Sequence, residues 1–136
     1  MFLLDTNVVS ELRRRDRADM RVGVWSDSVR PEAQFISAIT LQEIEIGALS
    51  IERRDRVQGE LLRRWIDQAV LPSFGNRILP VDTDVALRCA RLHVPDPRPQ
   101  VDALIAATAL VHDLTLVTRN VADFAALGVP VLNPWA

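Results

Sequence analysis

At 136 residues, with 49% hydrophobic and 25% charged residues, the chain has the length and composition of one compact globular domain. A net charge of −2 argues against a general nucleic-acid coat, and no apolar run approaches the ~20 residues of a bilayer span. The N-terminus lacks the basic flank and long apolar core of a signal peptide, so a soluble, cytoplasmic protein is expected.

Phe2-Leu3-Leu4 is too short for a helix and ends abruptly on Asp5. It reads as a buried central strand with Asp5 at its carboxyl end, the edge of an open α/β sheet where ligands bind. An Asp at a strand-to-helix junction also suits an N-cap, and the residue alone leaves both roles open. Thr6 to Arg15 follows as a helix with Val8, Val9 and Leu12 inward and a basic outer end. Asp19 to Val29 is a second helix, closed before Pro31, which disfavours helix at Arg30. All sixteen basic residues are Arg, clustered at Arg13, Arg14, Arg15, Arg17 and Arg21 and again at Arg53, Arg54, Arg56, Arg63 and Arg64. Such clusters suit solvated helix faces and phosphate contacts alike.

Gln34 to Ser37 is a short strand, and the next helix spans Thr40 to about Ser50 with Leu41, Ile44, Gly47 and Ala48 toward the core. Thr40-Leu41-Gln42-Glu43 has the form of a capping box, in which Glu43 folds back onto the N-cap amide. Glu52 to about Ser73 reads as one long helix with Val57, Leu61, Leu62, Trp65, Ile66 and Ala69 at helical spacing, a candidate hairpin partner and dimer face.

Ile78 to Val81 is a third strand, and Asp82 or Thr83 caps a helix reaching about His93. Cys89 lies within that pattern as a packed thiol, and neither His93 nor His112 has zinc-ligand spacing. The prolines from Pro95 to Pro99 make a surface loop. Val101 to Val111 is apolar nearly all round, a buried helix with Asp102 in its first turn. Leu114 to Thr118 is a strand, Val121 to Leu127 a short helix with Gly128 as its C-cap, and Val131-Leu132 an edge strand. Strands alternating with helices imply a parallel sheet with right-handed crossovers.

In such a sheet Asp5 and Asn120 lie just past strand ends, while Glu43 and Asp102 lie in helix turns that begin at the same edge. Clustered carboxylates repel by about 4 kcal/mol per pair at 4 Å and an effective dielectric of 20, so the cluster makes chemical sense as a site for a hard cation, Mg²⁺ or Mn²⁺. Such an ion clamps phosphoryl oxygens and activates water for phosphodiester hydrolysis.

Four segments resemble the signature segments of PIN-domain nucleases, in order and across the whole chain: Phe2 to Glu11, Ser37 to Glu43, Val101 to Ala109, and Leu116 to Phe124. The resemblance is strongest to the VapC toxins and to their FitB branch, the terminal Leu132-Asn133-Pro134-Trp135 included. It implies a PIN-like three-layer α/β/α sandwich and a metal-dependent ribonuclease, usually homodimeric, that is neutralised by a small VapB/FitA-type antitoxin in a heterotetramer or larger assembly. Asp5, Glu43 and Asp102 match the acidic triad, and Thr6, Asn7 and Thr118 match polar positions around it, with Arg119 beside them for substrate. Where many relatives carry a fourth acid this chain has Asn120, and Asp123 is the only acid close by in sequence. The implied Mg²⁺ ligands, with Mn²⁺ able to substitute, are therefore Asp5, Glu43, Asp102 and Asp123. A receiver domain or a haloacid-dehalogenase-type phosphatase needs a Lys that this chain lacks, and a dinucleotide fold needs a Gly-rich first turn that is absent. A catalytically idle PIN module that binds RNA or a partner is the remaining rival.

Overall fold

The computed structural model describes residues 1–136. Its strands are β1 (Phe2–Leu4), β2 (Gln34–Ser37), β3 (Ile78–Leu79), β4 (Thr115–Val117) and β5 (Val131–Leu132). Its helices are α1 (Thr6–Glu11), α2 (Met20–Ser28), α3 (Ala38–Glu52), α4 (Arg56–Trp65), α5 (Leu71–Phe74), α6 (Thr83–Leu92), α7 (Gln100–Val111) and α8 (Val121–Ala125), with one π-helical stretch, Ile66–Val70, joining α4 to α5. The five strands form one sheet in the order β3-β2-β1-β4-β5, parallel at every pairing. β1 is thus the central strand, as its unbroken apolar run predicts.

Side chains alternate across a strand, and the two cores follow that period. Leu4, Ile36 and Val117 face one side and pack with Val8, Val9, Val22, Ile44, Ala48, Ile66 and Val70 from the helices between β1 and β3. Leu3 and Leu116 face the other side against Ile105, Ala106, Ala109 and Phe124 of α7 and α8. Helices therefore cover both faces, giving the expected three-layer α/β/α sandwich. α6 lies outside α7, with Val85 and Cys89 against Ala103 and Ala107, which confirms Cys89 as a packed thiol. No helix is long and apolar enough to cross a membrane.

Several boundaries differ from the sequence reading for identifiable reasons. α1 stops at Glu11 instead of Arg15, because the Glu11 carboxylate accepts the Asp19 N–H at 2.7 Å and folds the basic segment back toward α2. α3 begins at Ala38, with Ser37 as N-cap accepting the Ile39 N–H at 3.0 Å. Thr40 is consequently inside the helix, and no capping box forms with Glu43. The long helix read from Glu52 to Ser73 starts later, since α3 runs on to Glu52 and Asp55 caps α4 by accepting the Gln58 N–H at 3.1 Å. α3 and α4 then form a hairpin so close that a Cβ at Gly59 would lie 2.5 Å from the Glu52 Cα. β3 ends at Leu79, ahead of Pro80, which has no N–H to extend the ladder.

Candidate active site

β1 and β4 deliver Asp5 and Thr118 side by side. The Asp5 N–H donates to the Val117 carbonyl at 2.9 Å, continuing the ladder one residue past β1, and the Asp5 side chain is buried, 6% exposed. Its Oδ1 accepts the Thr6 N–H at 2.8 Å, so Asp5 does cap α1. Its Oδ2 accepts the Thr118 hydroxyl at 2.8 Å and the Asn7 Nδ2 at 3.3 Å. A carboxylate offers about four lone-pair directions, so three contacts leave Asp5 with one on Oδ1. Capping and a role in the pocket are compatible at this residue.

The polar neighbours are fully engaged. Thr118, completely buried, gives its proton to Asp5 and accepts from the Asn120 N–H at 3.0 Å and from Asn7 at 3.3 Å. A hydroxyl has one proton and two lone pairs, so Thr118 orients Asp5 and has nothing left for a ligand. Asn7 also accepts the Arg119 N–H at 3.3 Å, tying α1 to the turn after β4. The Arg119 guanidinium itself lies over the Trp135 ring, 5.1 Å from its centroid. Asn120 stands at the N-cap of α8, exposed, with no capping bond from its side chain.

Glu43 projects from α3 toward α1, where the Thr6 hydroxyl donates to its Oε1 at 2.6 Å. Asp102 sits in the first turn of α7, half-buried, with no hydrogen-bond partner on its carboxylate, and Asp123 sits in the first turn of α8. Burial pushes the Asp102 carboxyl above its ordinary range, and the charges of Asp123 and Glu43 add to the shift. Burial also raises Asp5. The hydrogen bonds from Thr118 and Thr6 oppose that rise, and the charges of Glu43 and Asp102 reinforce it. The charge of Glu43 thus acts on both Asp5 and Asp102, and that of Asp123 on Asp102.

Two grooves leave this centre. One is walled by Thr6, Ser10 and Arg13 on one side and Glu43 and Gly47 on the other. The second is lined by Arg98, Asp102 and Asp123. Arg98 escaped the sequence reading because a proline-flanked loop residue carries no periodic signal, and Ser10 because α1 exposes it.

The PIN domain family profile matches residues 2–129. The chain is 39% identical to Toxin FitB of Neisseria gonorrhoeae (strain ATCC 700825 / FA 1090), over an alignment covering 99% of each sequence. It belongs to the PIN-domain family, in the FitB-like branch of the VapC toxins. This PIN domain is also 33% identical to VapC ribonuclease Y4jK of Sinorhizobium fredii (strain NBRC 101917 / NGR234), covering 99% of the chain and 98% of the relative. Among solved structures it superposes on the crystal structure of FitAcB from Neisseria gonorrhoeae with a TM-score of 0.90, at 38% identity and 99% coverage of both chains.

The donor set of this PIN domain fits a hard divalent cation. Every candidate ligand is a carboxylate oxygen, Asp102 lacks any partner, and Asp5 keeps one free lone-pair direction. No three carboxylate, imidazole or thiol groups of the chain converge tightly enough to ligate an ion by themselves. Mg²⁺ does not require that, because it keeps several waters and is commonly held by one or two carboxylates together with substrate phosphate.

Proposed function

We propose that this PIN domain is a divalent-metal-dependent endoribonuclease and the toxin of a toxin–antitoxin pair. The observation that carries the reading is that Asp5, buried at the end of β1, and Asp102, whose carboxylate accepts no hydrogen bond, both lie within reach of the Glu43 charge. Packing charges together without cations is unfavourable, so the arrangement is suited to a cationic ligand. The names of its relatives, a toxin and a ribonuclease, point to the same activity.

One or two of Asp5, Glu43 and Asp102, together with waters and substrate phosphate, would hold Mg²⁺, or Mn²⁺ in its place, with Asp123 at the rim. A cation bound there supplies charge neutralisation at the phosphodiester and lowers the pKa of water. Thr6 and Thr118 fix the rotamers of Glu43 and Asp5, and Asn7 locks Asp5 to the turn at Arg119. Arg119, above Trp135, would contact the RNA backbone, and Asn120 would offer a neutral amide at the rim. Unpaired RNA presents its backbone most freely, so single strands and loops are the substrate class. A VapB/FitA-type antitoxin would neutralise the acidic centre with a basic side chain. The working form is a homodimer that assembles with antitoxin into a heterotetramer or larger complex in the cytoplasm.

The test is incubation of antitoxin-free protein with tRNA, rRNA and mRNA panels, in Mg²⁺, in Mn²⁺ and in EDTA, with the cut ends mapped. Metal-dependent cleavage that Asp102→Asn abolishes supports the reading. RNA left intact in Mn²⁺ would instead favour an idle PIN module, for which Asn120 in place of an acid is the structural argument.

A further inference from the structure

Of the two grooves, the one between α1 and α3 is built as a continuation of the carboxylate centre. Thr6, Ser10 and Arg13 recur at i, i+4 and i+7 along α1 and the turn that ends it, and Glu43, Gly47 and Ile51 recur every four residues along α3. One stripe from each helix therefore makes each wall. The volume between them, about 330 Å³, falls within the range of small-ligand sites, roughly 300–1,000 Å³. The inner end is polar and shares Thr6 and Glu43 with the centre, while the far end is apolar and closes on Leu62 and Trp65.

Arg13 is the arginine of this groove. Its neighbours Arg15 and Arg21 pair with Asp27 and Asp19, and Arg63 pairs with Glu45. Arg13 is half-buried, makes no side-chain hydrogen bond and has no carboxylate within 4.0 Å. Burial and the adjacent Arg14 charge both act against its positive charge. A partly desolvated guanidinium without a counter-charge is costly, and its planar fork matches phosphate.

Resting on the ribonuclease reading, we propose that this groove seats a nucleotide flanking the scissile bond, its phosphate on Arg13 and its base in the apolar end beside Gly47 and Trp65. RNA fits better than a peptide because the strand that crosses the carboxylates must continue along Thr6 and Glu43 into the groove. It carries an anion at every residue for Arg13 and a flat ring for the apolar end. Gly47 then sets the size of base admitted. A Cβ there would meet nothing within 4 Å, so the fold leaves the space open without needing it open.

The experiment uses a fluorescein-labelled random single-stranded RNA, with binding read by anisotropy in the inactive Asp102→Asn background across a salt series. Arg13→Ala should weaken binding about tenfold and reduce the salt slope by about one contact, whereas Arg88→Ala, on the outer face of α6, should change neither. With Asp102 intact, Gly47→Leu should fill the groove, fold normally and shift the base composition at the cut ends. If RNA is cut but Arg13→Ala keeps affinity and slope, or Gly47→Leu keeps the cut pattern, the groove assignment is wrong while the nuclease reading stands. Loss of antitoxin binding in both variants, with RNA binding and cut pattern unchanged, would assign the groove to a peptide and overturn the proposal. RNA uncut by the parent protein in every metal defeats the underlying reading instead.

Discussion

Thr118 gives its hydroxyl proton to Asp5 at 2.8 Å, across 113 residues of sequence, and so locks the end of β4 to the end of β1 where the acidic centre begins. Thr118→Val keeps the shape and removes the donor. It leaves the Asn120 N–H without its acceptor and Asp5 with two hydrogen bonds in place of three. The expected loss is about 1–3 kcal/mol of stability by denaturant melts, and about tenfold or more in kcat/KM on RNA. Thr118→Ser, which restores the hydroxyl, should recover most of the activity. A fully active Val variant would show that Asp5 needs no orientation from β4.

Glu45 and Arg63 cross-brace α3 and α4 through two hydrogen bonds, one at 2.8 Å between Oε1 and Nη1. The guanidinium holds Glu45 below its ordinary carboxylate range. A depressed acid contributes stability above its unfolded pKa of about 4.5 and loses it as pH falls through the lower folded value. Both side chains are about a third exposed, at 34% and 37%, so screening limits the contribution to under about 1 kcal/mol. Glu45→Gln should therefore melt slightly lower than wild type at pH 7, with the difference shrinking as pH falls below 4.5 and vanishing once pH is below the folded value. A constant difference across that range would deny the ion pair any role.

The α3–α4 hairpin depends on Gly59. An added methyl would lie 2.5 Å from backbone at Glu52, which cannot yield without separating the helices. Gly59→Ala should cost about 1–3 kcal/mol, although Ala is the better helix former. Gly47→Ala, with no neighbour within 4 Å, should be neutral or stabilising by up to about 1 kcal/mol. Parallel thermal melts of the two variants decide whether contact or propensity governs this hairpin.

The apolar surface expected to make a dimer face is smaller on α4 than its sequence suggests. Trp65 and Leu62 pack against the core, leaving Val57 and Leu61 exposed at 66% and 40% on α4, with Ile46 and Leu49 at 55% and 49% on α3. If this hairpin is the homodimer contact, Leu61→Glu should shift sedimentation from dimer to monomer at micromolar concentration without lowering the melting temperature of the monomer. A dimer unaffected by the charge would place the contact elsewhere.

What the sequence disclosed and what it hid divide along physical lines. Asp5 and Asp102 were legible because an apolar run cut by a carboxylate, and an apolar helix with one acid in its first turn, are local patterns. The cap of α3 was not, since Ser37 and Thr40 are both good N-caps. Strand register decides between them, because Ser37 still pairs with Leu79 in the ladder and the helix starts directly after it. The hairpin of α3 and α4 was legible but its turn lies a few residues later, at Arg53 to Asp55, because no Gly or Pro marks that turn in the sequence. Arg13 was one of five clustered arginines; its lack of a partner exists only in three dimensions.

Asp5 and Asp102 are both acids raised by burial and by the charge of Glu43, yet their Asn variants should behave differently in EDTA. Asp102 accepts no hydrogen bond and is raised by burial and by two neighbouring carboxylates, so Asp102→Asn removes only an unfavourable charge. It should melt higher than wild type, by the equivalent of ~1 kcal/mol. Asp5 also sits among like charges, but both of its oxygens accept, from Thr6 on one and from Thr118 and Asn7 on the other. In either amide orientation, Asp5→Asn turns an N–H₂ toward a donor and forfeits about 1–3 kcal/mol, so it should melt no higher than wild type. Both variants should lose cleavage. Saturating Mn²⁺ should then reverse the Asp102 ranking, since an ion at 100 times its Kd stabilises the intact site by about 2.7 kcal/mol and a site missing a ligand by much less. Thermal melts of the three proteins in EDTA and in Mn²⁺ give the comparison. An Asp102→Asn protein that melts below wild type without metal would mean that Asp102 is a structural partner, not a waiting ligand.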